Sequence, residues 1–186
     1  MAQQITYSLS SSEVSHDWEG DALEPGTSLL LGVSSSHITF GLQFAKPLSG
    51  LGASSSFTRE LWKGDVVELF LRSGRSYVEL NLSPTGAWWA AHFSSYRVME
   101  RELPELAPTI DRIATDRILL TFQRDRLPEK VSGIAQTGII YLPDGPRYFV
   151  RGFCEKGSAP AREVVGCEPD FHLASLAFDE GMETGE

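Results

Sequence analysis

Side chains able to do directed chemistry concentrate in one stretch, Leu61 to Arg97 (LWKGDVVELFLRSGRSYVELNLSPTGAWWAAHFSSYR). In DVVELFLR, Val67, Leu69 and Leu71 alternate with Val66, Glu68 and Phe70, and in SYVELNLS, Val78, Leu80 and Leu82 alternate with Tyr77, Glu79, Asn81 and Ser83. A period of two marks a strand with one face on a core, so Glu68, Tyr77, Glu79 and Asn81 fall together on the opposite face. Carboxylate and amide groups make directed hydrogen bonds to vicinal hydroxyls, and aromatic rings stack on the C–H faces of a pyranose. Such a face suits a neutral polyol. The competing reading is that Glu and Asn simply face water and the tryptophans pack beneath a loop.

Two turns must position these residues. Gly74 and Arg75, with Gly first as a type II′ turn requires, set Ser73 opposite Ser76, Phe70 opposite Glu79 and Glu68 opposite Asn81. With Thr85 and Gly86 as a second two-residue turn after Pro84, Trp89, Ala91 and Phe93 are expected on the apolar side. Trp88, Ala90 and His92 then join Ser83, Asn81 and Glu79. The expected buried face is Val67, Leu69, Leu71, Val78, Leu80, Leu82, Trp89 and Phe93, and a one-residue slip would mix the two sides.

The remaining chain reads as further strands. Ile5 to Leu9 alternates and the Ser8 to Ser12 cluster ends it; Leu29 to Val33 is apolar on both faces; His37 to Phe44 alternates cleanly. Lys46 to Thr58 is a Gly- and Ser-rich loop leading to Trp62. VMERELPELAP reads as an irregular crossing because of its charges and prolines, with Met99 in a packing role. Thr109 to Thr115 and Arg117 to Arg124 form a strand pair and DRLP a turn. Ser132 to Leu142 is a long strand in which Gly133 and Gly138 permit a bend, and Pro143 to Pro146 turns it into RYFVRGF. Strands separated by turns, without an amphipathic helix of more than about 12 residues, predict an all-β fold. Its expected form is an antiparallel β-sandwich of jelly-roll or immunoglobulin-like type. One domain over residues 1–178 and a disordered acidic tail over 179–186 complete the expectation.

Composition narrows the partners. A formal charge of -9 on 186 residues disfavours nucleic acid and anionic membrane, which demand clustered Lys and Arg. No run approaches the roughly 20 apolar residues of a membrane helix, and no basic segment followed by an apolar core opens the chain, so a cytoplasmic location is expected. Cys154 and Cys167, lacking C-x-x-C spacing, read as reduced thiols. Asp17, Glu19 and Asp21 do not reproduce a calcium-loop spacing, so no metal and no cofactor is predicted.

LWKGDVVELF, SYVELNLSPTGAWWAAHFSSYR and PDFH at Pro169 to His172 resemble the DOMON-like proteins related to family 9 carbohydrate-binding modules. The shared pattern is a Trp, a D-x-V-E-x-F strand, Y-x-E-x-N-x-S-P-x-G-x-W, then Y-R and a late P-D-F-H, and it covers roughly Trp62 to Phe178. The resemblance implies a β-sandwich and non-catalytic binding of a small carbohydrate. It implies that Trp62 and Glu68 form part of an arrangement in which two aromatic rings enclose a sugar, with Tyr148 or Phe149 as the second ring. The chain departs from the pattern at CEKGSAPAREVVGCE, before PDFH. His172 is assigned a structural role. The candidate ligand set is therefore Trp62, Glu68, Tyr77, Glu79, Asn81 and Trp88. Rival readings are a glycoside hydrolase using Glu68 and Glu79, a haem-binding domain using Met99 with His92 or His172, and a scaffold domain with no small ligand.

Overall fold

The computed structural model describes residues 10–14, 17, 21–34, 36–44, 56–114, 116–129, 131 and 133–151. Their strands are β1 (Ser10–Glu13), β2 (Ser28–Val33), β3 (His37–Gln43), β4 (Val66–Ser73), β5 (Ser76–Leu82), β6 (Trp88–Ser95), β7 (Val98–Glu102), β8 (Thr109–Ala114), β9 (Arg117–Gln123), β10 (Gly133–Leu142) and β11 (Gly145–Arg151). They form a five-stranded sheet in the order β1-β2-β3-β9-β8 and a six-stranded sheet in the order β11-β10-β4-β5-β6-β7. Every pairing between named strands is antiparallel. The protein is an antiparallel β-sandwich.

Alternation explains most of the core. Ile38, Phe40 and Leu42 from β3, with Ile118, Leu120 and Phe122 from β9, pack against Val67, Leu69 and Leu71 of β4 and Val78, Leu80 and Leu82 of β5. Phe40 and Phe122 stack with ring centres 6.3 Å apart. One polar group crosses this interior: the buried Gln136 of β10 donates from Nε2 to the carbonyls of Leu30 (3.0 Å) and Gly41 (3.1 Å) in the facing sheet. Satisfied donors of this kind tie the two layers together without exposing them to water.

The β4–β5 hairpin has the expected register, with Ser73 opposite Ser76 and Glu68 opposite Asn81, and Gly74 sits at φ 63° as the first turn residue. The β5–β6 hairpin does not. Three residues, Pro84, Thr85 and Gly86, close it: Ser83 N–H donates to the Ala87 carbonyl at 2.8 Å and Gly86 N–H to the Ser83 carbonyl at 2.9 Å. Gly86 adopts φ 87°, the left-handed conformation that a three-residue hairpin loop requires. The extra loop residue shifts β6 by one position, so Leu82 pairs with Trp88 and Asn81 with Trp89. All of β6 is turned over relative to expectation. Trp88 and Ala90 enter the inter-sheet core, whereas Trp89, Ala91 and Phe93 share the far face with Tyr77 and Phe70.

Three further expectations change. Ser10 to Glu13, read as the end of a first strand, is itself the edge strand β1; the expected strand at Ile5 to Leu9 lies outside the described residues. Val98 to Glu102 pairs with β6 rather than crossing irregularly, because backbone hydrogen bonding to an existing sheet edge needs no apolar pattern. Met99 on that strand is 51% exposed rather than packed. Cys154, Cys167, PDFH with His172, and the 179–186 tail lie outside the described residues.

Because the loop depends on a positive φ at Gly86, Gly86→Ala should lower unfolding stability by roughly 1–2 kcal/mol in urea titrations. An unchanged midpoint would show that the loop relaxes to another geometry at no cost.

Candidate ligand-binding site

The face of the six-stranded sheet turned away from the five-stranded sheet holds the polar residues expected there from β4 and β5. Glu68 stands between Asn81 on β5 and Thr137 on β10, and Glu79 lies one pairing further along, opposite Phe70 and Ala91. They are not solvated. Glu68 and Glu79 are each 4% exposed, while Asn81 and Tyr77 are fully buried. Phe70, Tyr77, Trp89 and Phe93, with Ala135 and Ile139 of β10, make this face a second apolar cluster in which the carboxyl groups are embedded. Tyr77 stacks on Phe93 at 4.6 Å with the rings nearly parallel, and its hydroxyl accepts the Arg97 N–H at 3.3 Å.

Hydrogen bonds hold the acids in place. Thr137 Oγ1 donates to Glu68 Oε2 at 2.9 Å, and Asn81 Nδ2 donates to Glu79 Oε1 at 3.0 Å. Burial pushes Glu68 up to about 7, against the opposing effect of the Thr137 bond. Glu79 lies well above the usual carboxylate range, first through burial and then through the neighbouring charge of Glu68; the Asn81 bond and the charge of Arg97 oppose this only in part. A low-dielectric setting disfavours the charged form of each, and two like charges on adjacent strands disfavour ionising both. The pair therefore retains a proton at neutral pH.

Above these acids lies an open concavity of about 910 Å³. Trp62 lines it from a one-turn helix, Leu61–Lys63, that precedes β4, and is 44% exposed. Tyr141 of β10 secures that turn, its hydroxyl donating to the Trp62 carbonyl at 3.1 Å and its N–H to Asp65 at 2.8 Å. Trp89, 6% exposed, also lines the concavity. Its indole N–H donates to Glu102 Oε1 at 2.8 Å, and Arg59 grips the same carboxylate through Nε and Nη2, both at 2.6 Å. Arg59 and then the indole hold the Glu102 carboxyl at about 2, so it stays ionised. Tyr148 of β11 lines the concavity as well.

Of the residues expected from sequence, Trp62, Glu68 and Glu79 line this concavity. Asn81 and Tyr77 sit beneath, positioning Glu79 and Phe93. Trp88 is elsewhere: 5% exposed, it lies inside the sandwich, edge-on to Phe57 at 5.0 Å and to Phe122 at 6.3 Å. His92 likewise turns from this face and meets Glu100 at 2.8 Å. The shift at Pro84 to Gly86 causes both displacements, and Trp89 occupies the place assigned to Trp88. Tyr148, one of the two rings proposed as a partner for Trp62, borders the same space; the side chain of Phe149 lies outside those described. Arg59 and Glu102 were missed, since nothing local in the sequence links residues 43 positions apart.

Met99 and His92, the proposed haem ligands, belong to different cavities, Met99 to this one and His92 to a groove bordered by Arg101 and Leu103. Asp17 and Asp21, with Asp144, surround the guanidinium of Arg147 at 3.4, 3.1 and 2.7 Å. Among the described residues no group of three or more His, Cys, Asp or Glu side chains is arranged to hold a metal ion. No helix among the described residues is long and apolar enough to cross a membrane. No family profile, curated protein or solved structure matches this chain.

The buried acids give stability a definite pH dependence. Their folded-state values exceed the ordinary value of 4.5, so the folded protein keeps protons that the unfolded chain has released. Both contributions are fully present below about 4.5; that of Glu68 is lost as pH rises through about 7, and that of Glu79 as pH rises through its own raised value. The melting temperature of a Glu68→Gln/Glu79→Gln double variant should exceed that of the wild type by a margin that widens from about pH 5 to about pH 8. A margin independent of pH would mean that the carboxyl groups are solvated. Glu102 works in the opposite sense, its contribution falling away only in acid, from about 4.5 down to about 2.

Proposed function

We propose that this chain is a non-catalytic carbohydrate-binding protein whose ligand occupies the concavity on the six-stranded sheet. The observation that carries the reading is that Trp62 and Trp89 line one concavity together with Glu68 and Glu79. Indole faces match the C–H faces of a sugar ring, and the carboxyl groups can donate or accept hydrogen bonds to its hydroxyls according to their protonation. A volume of about 910 Å³ lies within the roughly 300–1,000 Å³ of small-molecule clefts. The resemblance to DOMON-like relatives of family 9 modules supports the same reading, with Trp62 and Glu68 at the matching positions. In the cytoplasmic location expected from the sequence, the targets would be intracellular sugars or glycoconjugates.

A second reading has its own observation. Val98 and Met99 are 53% and 51% exposed on β7, the outer strand of its sheet, beside the 38% exposed Tyr96. An outer strand with exposed apolar side chains can take up another protein strand, as a scaffold domain would.

Calorimetric titration with mono- and disaccharides separates the two. Sugar affinity should be on the order of 10 µM to mM, because few contacts offset the cost of immobilising a hydrated ligand. Trp62→Ala, at a residue 44% exposed, should weaken binding by at least about tenfold with the fold intact, whereas Trp89→Ala, at a residue 6% exposed in the far-face cluster, should lower both affinity and stability. Trp88→Ala should instead destabilise the fold by about 3–5 kcal/mol, as a core truncation does. Glu68→Gln should weaken binding less than either tryptophan change. Silence of the wild type up to tens of mM would favour the β7 reading.

A further inference from the structure

The concavity extends across the whole width of its sheet. All six strands contribute to the lining: Tyr148 from β11, Ile139 from β10, Glu68 from β4, Glu79 from β5, Trp89 from β6 and Met99 from β7. Strand pairing makes the row continuous. Tyr148 lies opposite Ile139, and Thr137, two residues along β10, lies opposite Glu68. Glu68 lies opposite Asn81, Glu79 opposite Ala91, and Phe93, two residues beyond Ala91, opposite Met99. Steps of two residues stay on one face of a strand. Five intervals of about 4.8 Å between neighbouring strands carry the row over about 24 Å, a length that takes several pyranose rings end to end.

Exposure is distributed along this row in a definite way. Glu68, Glu79 and Trp89, in its middle, are buried. Of the six exposed large apolar side chains among the described residues, Trp62, Tyr141 and Met99 line the concavity, and they fall at separate places along it. Trp62 is tied to Tyr141 of β10 by the bond from the Tyr141 hydroxyl, whereas Met99 stands on β7, four strand intervals from β10. Exposed apolar surface that collects in a concavity marks where a ligand makes contact. A single ring seated at Trp62 would leave Met99 without a role. The ends are also open in the sheet itself: β11 and β7 are its outer strands, so no further strand among the described residues bounds the row on either side.

Resting on the sugar-binding reading, we infer that the ligand is an oligosaccharide chain of several units laid across the strands from Trp62 and Tyr141 to Met99, and bound through an internal stretch rather than at a chain end. Trp62 supplies a stacking surface for one unit, and the Met99 thioether, flexible and polarisable, packs against the C–H face of a distant one. The carboxyl groups of Glu68 and Glu79 serve hydroxyls of the units between. The volume of about 910 Å³, near the top of the roughly 300–1,000 Å³ range of small-molecule clefts, suits such a chain better than one ring.

The test is titration calorimetry of the full chain with cello-, xylo-, malto- and chito-oligosaccharides of two, four and six units. Within a series that binds, affinity should rise at least about tenfold from the two-unit to the six-unit sugar, because the longer chain reaches contacts that the shorter one cannot. Borohydride reduction of the terminal unit should leave the affinity of the six-unit sugar within about twofold. Met99→Ala, its fold checked by melting curve, should lower six-unit affinity about threefold or more and leave two-unit affinity unchanged, whereas Trp62→Ala should weaken both. Equal affinity for the two-unit and six-unit sugars, loss of binding on reduction, or a six-unit affinity indifferent to Met99→Ala would each overturn the inference and leave the sugar-binding reading standing. Silence toward every series up to tens of mM would remove both.

Discussion

Hydrogen bonding between Ser83 and Ala87, permitted by Gly86 in the left-handed region, decides which face every residue of β6 occupies. The consequences spread through both sides of the sheet. Trp88 becomes a core residue locked against Phe57 and Phe122, and Trp89 becomes a wall of the concavity. Only in that position can the Trp89 indole reach Glu102, and only then does the Arg59–Glu102 pair belong to the site. Side chains in a strand alternate strictly, so a single loop residue exchanges two complete rows of neighbours.

On the far face, an apolar cluster and a pair of acids occupy the same surface. Phe70, Tyr77, Trp89 and Phe93 exclude water from around Glu68 and Glu79, and that exclusion raises both carboxyl groups. Glu102, a short distance away on β7, has the opposite electrostatics because Arg59 and an indole N–H both stabilise its charge. The concavity thus contains two carboxyl groups on β4 and β5 raised by burial and one on β7 lowered by its ion pair. Environments that push like groups apart in this way are typical of places where a protein meets a ligand.

The sandwich itself provides the rigidity such a site needs. Core residues from both sheets hold β4 and β5 flat against β3 and β9, and Gln136 links β10 to the carbonyls of Leu30 and Gly41 across the interior. The acids project from the central strands of the six-stranded sheet, whereas Trp62 comes from a one-turn helix braced by Tyr141.

Alternation along the chain determined the all-β class, the β4–β5 hairpin with its register, and the grouping of Glu68, Tyr77, Glu79 and Asn81 on one face. From Val78 to Ser83 polar and apolar residues alternate at every step, so only one parity buries the right set. WWAAHF carries no such contrast: Trp88 and Trp89 are both large and apolar, so either phase buries an indole, and the loop length that chose between them was not legible. VMERE has no alternating pattern, so β7 came from an available sheet edge rather than from its own residues. The burial of the acids, and the joining of Arg59 to Glu102, were settled only in three dimensions. Dielectric surroundings and contacts between residues 43 positions apart are properties of the packed layers, and a local sequence pattern encodes neither.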